Sequence, residues 1–234
     1  MSNGSGDSSS REAFLARVRQ AAETGRAWRV HVDAVPENTG YVGARSDDLS
    51  EAMAAEVVEV GGFAHRVDSV DTAREQVFDL LDQYRAGSVL LWQHEVLEAL
   101  DLRCALDDSH IEMYDFERLS RLSDAHARAA YMAADVGITS CDIAIAETGS
   151  LIVCSRPGQE RIASLVTPVH IAVVRRDQIV ADLFDAFAKL EGLGFDGIAS
   201  NISIITGPSK TGDIELTLTT GVHGPGNWHV VLID

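Results

Sequence analysis

Lysine is nearly absent from this chain: only Lys189 and Lys210 stand among 19 basic residues, against 36 acidic ones in 234. The formal net charge of -17 excludes nucleic acid and anionic membrane surfaces as partners, because both require clustered Lys and Arg to displace counterions. Cysteine is scarce too. Cys104, Cys141 and Cys154 form no C-x-x-C pair and have no histidine at ligand spacing, so neither a disulfide framework nor an iron–sulfur or zinc site is expected on this chain. No apolar run approaches the ~20 residues a membrane-spanning helix needs. The opening "MSNGSGDSSS" lacks a basic-then-apolar leader pattern, which points to the cytoplasm.

What remains is a chain that is 46% hydrophobic, enough for a full core. A Ser/Gly tail (1–10) leads into "REAFLARVRQAAE", where Phe14, Leu15, Val18 and Ala22 recur at helical spacing. Residues 25–47 carry Pro36, Asn38, Gly40 and Gly43 without that period and read as a linker, so 11–47 is an accessory helix and linker. From residue 48 to 234 helical and strand patterns alternate in one domain. "DDLSEAMAAEVVEVGG", "SVDTAREQVFDLLDQYRAG" (capped at Ser69 or Asp71, stopped at Gly87), "HEVLEAL", "FERLSRLSDAHARAAYMAADVG" and "IVADLFDAFAKLEG" read as helices. "FAHRV", "SVLLWQ", "IEMYD", "CDIAIAE", "SLIVCS", "VHIAVV", "NISIITG", "ELTLTTG" and "WHVVLID" read as strands. Continuous apolar strands between amphipathic helices predict an α/β fold of three layers, α/β/α, around a mostly parallel sheet with some antiparallel edges.

Ligands of such sheets bind beyond the carboxyl ends of the strands. By this reading those ends carry Glu147–Ser150, Thr206–Asp213 and Gly221–Gly226. The second stretch, "ITGPSKTGDIE", looks like a phosphate loop but lacks the glycine before Lys210 that a G-x-x-x-x-G-K-[ST] loop needs, and Pro208 removes an N–H donor. The glycines at 221, 224 and 226 do not make G-x-G-x-x-G either. A turn alone accounts for Gly207 and Pro208, but not for Ser209, Lys210, Thr211, Asp213 and Glu215 together. Lys210, among the hydroxyls of Thr206, Ser209 and Thr211, suits a small carboxylate or phosphate. Asp213 and Glu215 could ligate a metal, act as acid or base, or pair with Lys210 and Arg161, and pairing is the expectation. Glu147 follows an apolar strand and precedes Thr148, Gly149 and Ser150, where it is either an exposed turn acid or a catalytic carboxylate. His223, between Gly221 and Gly224, is either a hydrogen-bonded loop residue or a proton-transfer group. His170 reads as structural.

"DIAIAETGSL", "HIAVVRRDQIV", "ITGPSKTGDIE" and "GVHGP", in this order, resemble the LUD domain family in its lactate utilization C type. The resemblance is close over the last hundred residues or so and extends in helix–strand order back to about residue 48. Ser150 stands where Thr is common and Gly212 where Ala is common. The resemblance implies a fold similar to the NagB/RpiA/CoA-transferase-like superfamily. It also implies the cluster-free component of a system oxidising L-lactate to pyruvate, with iron–sulfur clusters on partner proteins of A and B type and no cofactor on this chain. An alternative on the same fold is a stand-alone acyl/CoA transferase-like or ATP-dependent cyclo-ligase-like enzyme acting through Glu147, although Thr148 replaces the asparagine of the transferase motif. The accessory helix is expected either to pack on its own domain or to exchange with a neighbour in a homo-oligomer.

Overall fold

The computed structural model describes residues 6–26, 48–193, 199–212, 218–221 and 223–234. The chain divides into two units, Met1–Tyr41 and Val42–Asp234. The described part of the first is one helix, α1 (Gly6–Arg26), which takes in the last residues of the Ser/Gly tail and leaves Phe14 and Val18 exposed.

The second unit runs α2 (Leu49–Glu59), β1 (Phe63–Val67), α3 (Val70–Gln83), β2 (Ser88–Leu91), α4 (Glu95–Ala99), α5 (Leu102–Asp108), β3 (Glu112–Tyr114), α6 (Phe116–Ser120) and α7 (Asp124–Ala133). It continues through β4 (Val136–Thr139), β5 (Ile143–Ile145), β6 (Ser150–Cys154), α8 (Ile162–Leu165), β7 (Val169–Arg175), β8 (Ile179–Val180), α9 (Leu183–Gly192), β9 (Ile202–Thr206), β10 (Lys210–Gly212), β11 (Leu218–Thr220) and β12 (Asn227–Ile233).

Caps explain several boundaries. Asp48 accepts the Ser50 N–H at the start of α2, and Ser69 forms a reciprocal capping box with Thr72 on α3. At the other end of α3 the chain turns through Arg85, at φ 51°, rather than at Gly87, which instead donates to Asp135 at the mouth of β2. The expected long helix after "IEMYD" is three elements: α6, α7 and the strand β4. Gly137, the last residue of that expected helix, lies inside a fully buried strand. The short helices α5 and α8 carried too few residues for a periodic signal and were not anticipated.

Six strands form one sheet in the order β1-β12-β7-β4-β2-β3, every pair parallel. Neighbouring residues on β12 show what covers it. A Cβ on Gly62 would lie 2.5 Å from the Trp228 ring and 3.1 Å from Val57 of α2, whereas His229, one residue on, meets the Tyr84 hydroxyl just after α3 at 2.8 Å. Successive strand residues face opposite ways, so α2 and α3 cover opposite faces and the three layers are present.

The antiparallel pairings lie outside this sheet. β10 pairs with β11, and a four-stranded sheet runs β8-β5-β6-β9. Its origin is a hand-over: β4 and β7, parallel neighbours in the large sheet, continue as β5 and β8, again parallel neighbours, in the small one. The Gln178 amide pins the bend by donating to the Cys141 carbonyl and to Ser140 Oγ. The small sheet is apolar on both faces. Ala144, Ala146, Leu151 and Val153 join the main core, while Ile143, Ile145, Ile152 and Cys154 pack with Val180 and with Ala186 and Leu190 of α9 in a second core. Burying Ile145 and Ile152 there contributes about 2 kcal/mol each.

Candidate functional site

Three of the four sequence motifs meet in space. Ser150 Oγ lies 2.7 Å from both Thr148 Oγ1 and Thr206 Oγ1, joining the turn after β5 to the end of β9. Ser209 donates its N–H to the Pro225 carbonyl (2.8 Å) and accepts the Gly221 N–H (2.9 Å), joining that loop to the one before β12. Two glycines allow the close approach. Gly149 (φ 60°) abuts the backbone of Glu56 and Val57, and Gly207 (φ 78°) abuts the Val60 carbonyl, so a side chain at either would collide with the last turn of α2. Gly224 packs against Ser209.

This cluster surrounds the end of α2, where the chain enters β1, and Gly226 donates to the Pro168 carbonyl just before β7. It therefore lies at the amino edge of the large parallel sheet, which corrects the expected cleft at the carboxyl ends. Glu147 does follow the carboxyl end of β5, and Thr206 is the last residue of β9. Those strands, however, belong to the small sheet, whose turns at Gly149 and Gly207 lie over the last turn of α2.

Lys210 Nζ donates to the Val60 carbonyl at 2.6 Å. The ammonium thus satisfies an orphan carbonyl at the negative end of α2, a role the sequence did not disclose. Lys210→Glu is expected to lower unfolding stability by about 1 kcal/mol, and Lys210→Arg to retain most of it. Urea denaturation measures the difference; a midpoint unmoved in Lys210→Glu would show that the contact has no weight.

Glu147 is half-buried, and among the described residues its carboxylate has no hydrogen bond or ion pair. Only its backbone is engaged, donating to the Ala181 carbonyl at 3.0 Å. His223 is an exposed loop residue. Thr211 lies in β10 opposite Thr219. Asp213 and Glu215, with their expected pairs to Lys210 and Arg161, lie outside the described residues.

The carboxyl edge holds a second group of polar residues that the sequence reading did not single out. In the large sheet β2 is flanked by β3 on one side and by the next strand in the chain, β4, on the other, so strand order reverses between β2 and β4. At such a reversal adjacent connections leave in opposite directions and open a crevice at the carboxyl ends. Here the turn Arg156–Gln159, with Pro157 and Gly158 (φ 84°) at its centre, folds over the end of β2. Gln93 donates its N–H to the Gly158 carbonyl (2.8 Å) and accepts from Gln159 Nε2 (3.2 Å). Arg156 Nη1 reaches Asp142 Oδ1 at 2.6 Å and Gln159 Oε1 at 3.1 Å.

His94 caps α4 by accepting the Val96 N–H on Nδ1 (3.2 Å), so its neutral form carries the proton on Nε2. Burial holds this imidazole below its ordinary range; Asp142 and Glu95 pull it back up, and Arg175 and Arg156 push it down. A cavity of about 130 Å³ opens beside Gln93, with Leu91, Leu97 and Leu102 as its apolar wall and Glu98, Asp101 and Arg103 on its polar side.

The thiols are poor ligands. Burial pushes Cys141 far up and Cys154 to about 11, while Cys104 is raised by its hydrogen bond to Asp101. Cys141 packs into the main core and Cys154 into the second. Among the described residues no group of three or more His, Cys, Asp or Glu could hold a metal ion, and no helix is long and apolar enough to cross a membrane.

A parallel sheet that reverses order between β2 and β4 and hands two strands to a smaller sheet defines an α/β domain with loop clusters at both edges. The LUD domain model matches residues 50–233, and the chain belongs to that family. A curated relative from Shouchella clausii, Lactate utilization protein C, is 31% identical and aligns over 82% of this chain and 81% of its own. Its namesake from Halalkalibacterium halodurans is 27% identical over 92% and 94%. Among solved structures, a DUF162 family protein from Deinococcus radiodurans shares the fold, with a TM-score of 0.56 at 22% identity, covering 80% of this chain and 96% of that one. The resemblance read from the four motifs is thereby confirmed.

Proposed function

We propose that this chain acts in lactate utilization, as the cluster-free component of a system that oxidises L-lactate to pyruvate. The observation that carries this reading is the alignment with relatives named Lactate utilization protein C over more than four-fifths of both chains. The state of the thiols supports the finer part: a cluster needs several accessible thiolates at one point, and here two thiols are buried in different cores. On this reading electron transfer runs through iron–sulfur partners of A and B type in the cytoplasm, and the loops around Glu147, Ser150, Lys210 and His223 form the face that meets a partner or a small anion. Deleting the gene should abolish growth on L-lactate as sole carbon source while leaving growth on pyruvate intact. Tagged protein from lactate-grown cells should bring iron–sulfur proteins with it. Normal growth of the deletion strain on lactate would refute the role.

A second reading rests on Glu147, whose half-buried carboxylate has no ion-pair partner among the described residues and is therefore available as a nucleophile. Attack of the carboxylate on an acyl-CoA would give a mixed anhydride and CoA thiolate. The thiolate would then displace the acyl group as its free carboxylate, leaving a glutamyl-CoA thioester that borohydride reduces. Intact-mass measurement after acyl-CoA and borohydride is expected to show an unmodified chain; a shifted mass that vanishes in Glu147→Gln would establish the transferase instead.

A further inference from the structure

We propose that the reversal point between β2 and β4 binds a small 2-hydroxy or 2-oxo carboxylate, held by the Arg156 guanidinium through its carboxylate and by His94 Nε2–H through its C2 oxygen. The ligand class rests on the lactate reading above; the site rests on geometry.

Four segments far apart in sequence converge there: the end of β2 (Gln93, His94), the bend after β4 (Asp142), the turn after β6 (Arg156, Gln159) and the end of β7 (Arg175). The convergence is built rather than incidental. Gly158 has φ 84°, a conformation that strains any other L residue, and a Cβ there would lie 3.0 Å from Gln93 Cβ, so glycine lets the turn close over β2. Asp142 is fixed in turn: its Oδ2 accepts the Cys154 N–H at 2.7 Å while its Oδ1 holds Arg156.

The donor set selects the ligand. A guanidinium has five N–H donors in a planar fork, and Arg156 uses Nη1 on Asp142 and Gln159, which leaves donors of the fork for a carboxylate. His94 cannot turn Nε2 into an acceptor without giving up its cap to Val96, so in its neutral form it presents an N–H to an oxygen beside that carboxylate. Both arginines of the cluster face carboxylates, Arg156 with Asp142 and Arg175 with Glu95 and Asp177. The cluster sets two arginines against three carboxylates, so its net charge disfavours a polyphosphate, and a monoanion is held by the directed donors of the Arg156 fork and not by net charge.

The test uses the full chain labelled with ¹⁵N-histidine and titrated with L-lactate, pyruvate and inorganic phosphate at millimolar concentrations. L-Lactate or pyruvate should move the His94 imidazole signals saturably, with binding weakened at least tenfold in both Arg156→Gln and His94→Gln, unchanged in Arg74→Gln on α3, where the arginine pairs with Asp71 alone among the described residues, and phosphate without effect. His94→Gln keeps the measurement decisive if Arg156→Gln, which breaks the Asp142 pair, fails to fold; calorimetry then reads the affinity. Loss of binding in Lys210→Ala instead, or His94 signals that no carboxylate moves, overturns the site. The two readings fail separately: a deletion strain that needs the gene on lactate while the protein ignores both acids sinks only the site, and pyruvate binding at His94 in a protein dispensable for growth sinks only the metabolic role.

Discussion

Gly137→Ala is expected to prevent accumulation of soluble protein. A methyl at this position of β4 would lie 1.7 Å from the carbonyl oxygen of Ala163 and 2.7 Å from its carbonyl carbon. Both are backbone atoms of α8, so no rotamer change relieves the clash. Thr167 Oγ1, 2.9 Å away, holds the same carbonyl through a 3.2 Å hydrogen bond and would have to move with it. Either α8 lifts off the sheet or β4 leaves its register with β7, and each route breaks the fully buried centre of the domain. The cost exceeds about 4 kcal/mol, a large share of what a domain of this size has to spare. Fractionation after expression, with Gly192→Ala as control, tests it: Gly192 has nothing near where its Cβ would lie. Soluble, folded Gly137→Ala protein would mean that the strand and α8 are not packed this closely.

The second large effect is acid lability. His170 is fully buried beside Thr139, with Nε2 2.8 Å from the hydroxyl, and burial holds it down to about 3 from an ordinary value of 6.5. His229, between Tyr84 and His65, is held down to about 4 by burial and by the neighbouring His65. Both are neutral in the folded state, whereas the unfolded chain takes up their protons below about pH 6.5. Their contribution is therefore complete above that pH and is lost as the pH falls towards the folded values. By pH 4.5 each has lost about 2.7 kcal/mol, roughly 5 kcal/mol together. Urea unfolding at pH 7.5, 6 and 4.5 should show stability falling most steeply below pH 6.5. Stability that is flat across that window would show that the two rings are not held neutral.

Much of this fold was legible because the residues announce it. Capping at Ser69, the apolar strands β7 and β12 and the amphipathic α9 all carry local signals strong enough to survive tertiary context. What was missed shares one physical cause: positions where a distant segment, not the local pattern, decides. Gly137 falls at the end of an expected helix until α8 is seen lying on it. Without β4 the reversal beside β2 has no place in the sheet, so His94 and Asp142 drew no attention, and neither did Arg156 and Gln159. The motif loops showed the opposite balance. Their kinship and mutual proximity could be read, but their edge of the sheet could not, since nothing local shows that β5 leaves the sheet of β4 for another.

That departure links the two candidate sites. Asp142 precedes β5 and Glu147 follows it, so the group around His94 and the loops around Lys210 stand at opposite ends of one strand, about 17 Å apart at strand rise. The strand cannot act as a piston between them. Ile143 and Ile145 are seated in one core and Ala144 and Ala146 in another, so a slip of one residue would exchange bulky and small side chains across both at once. Any message between the edges must therefore pass as a tilt or twist of a rod of fixed length, pivoting where Gln178 holds the backbone at Cys141.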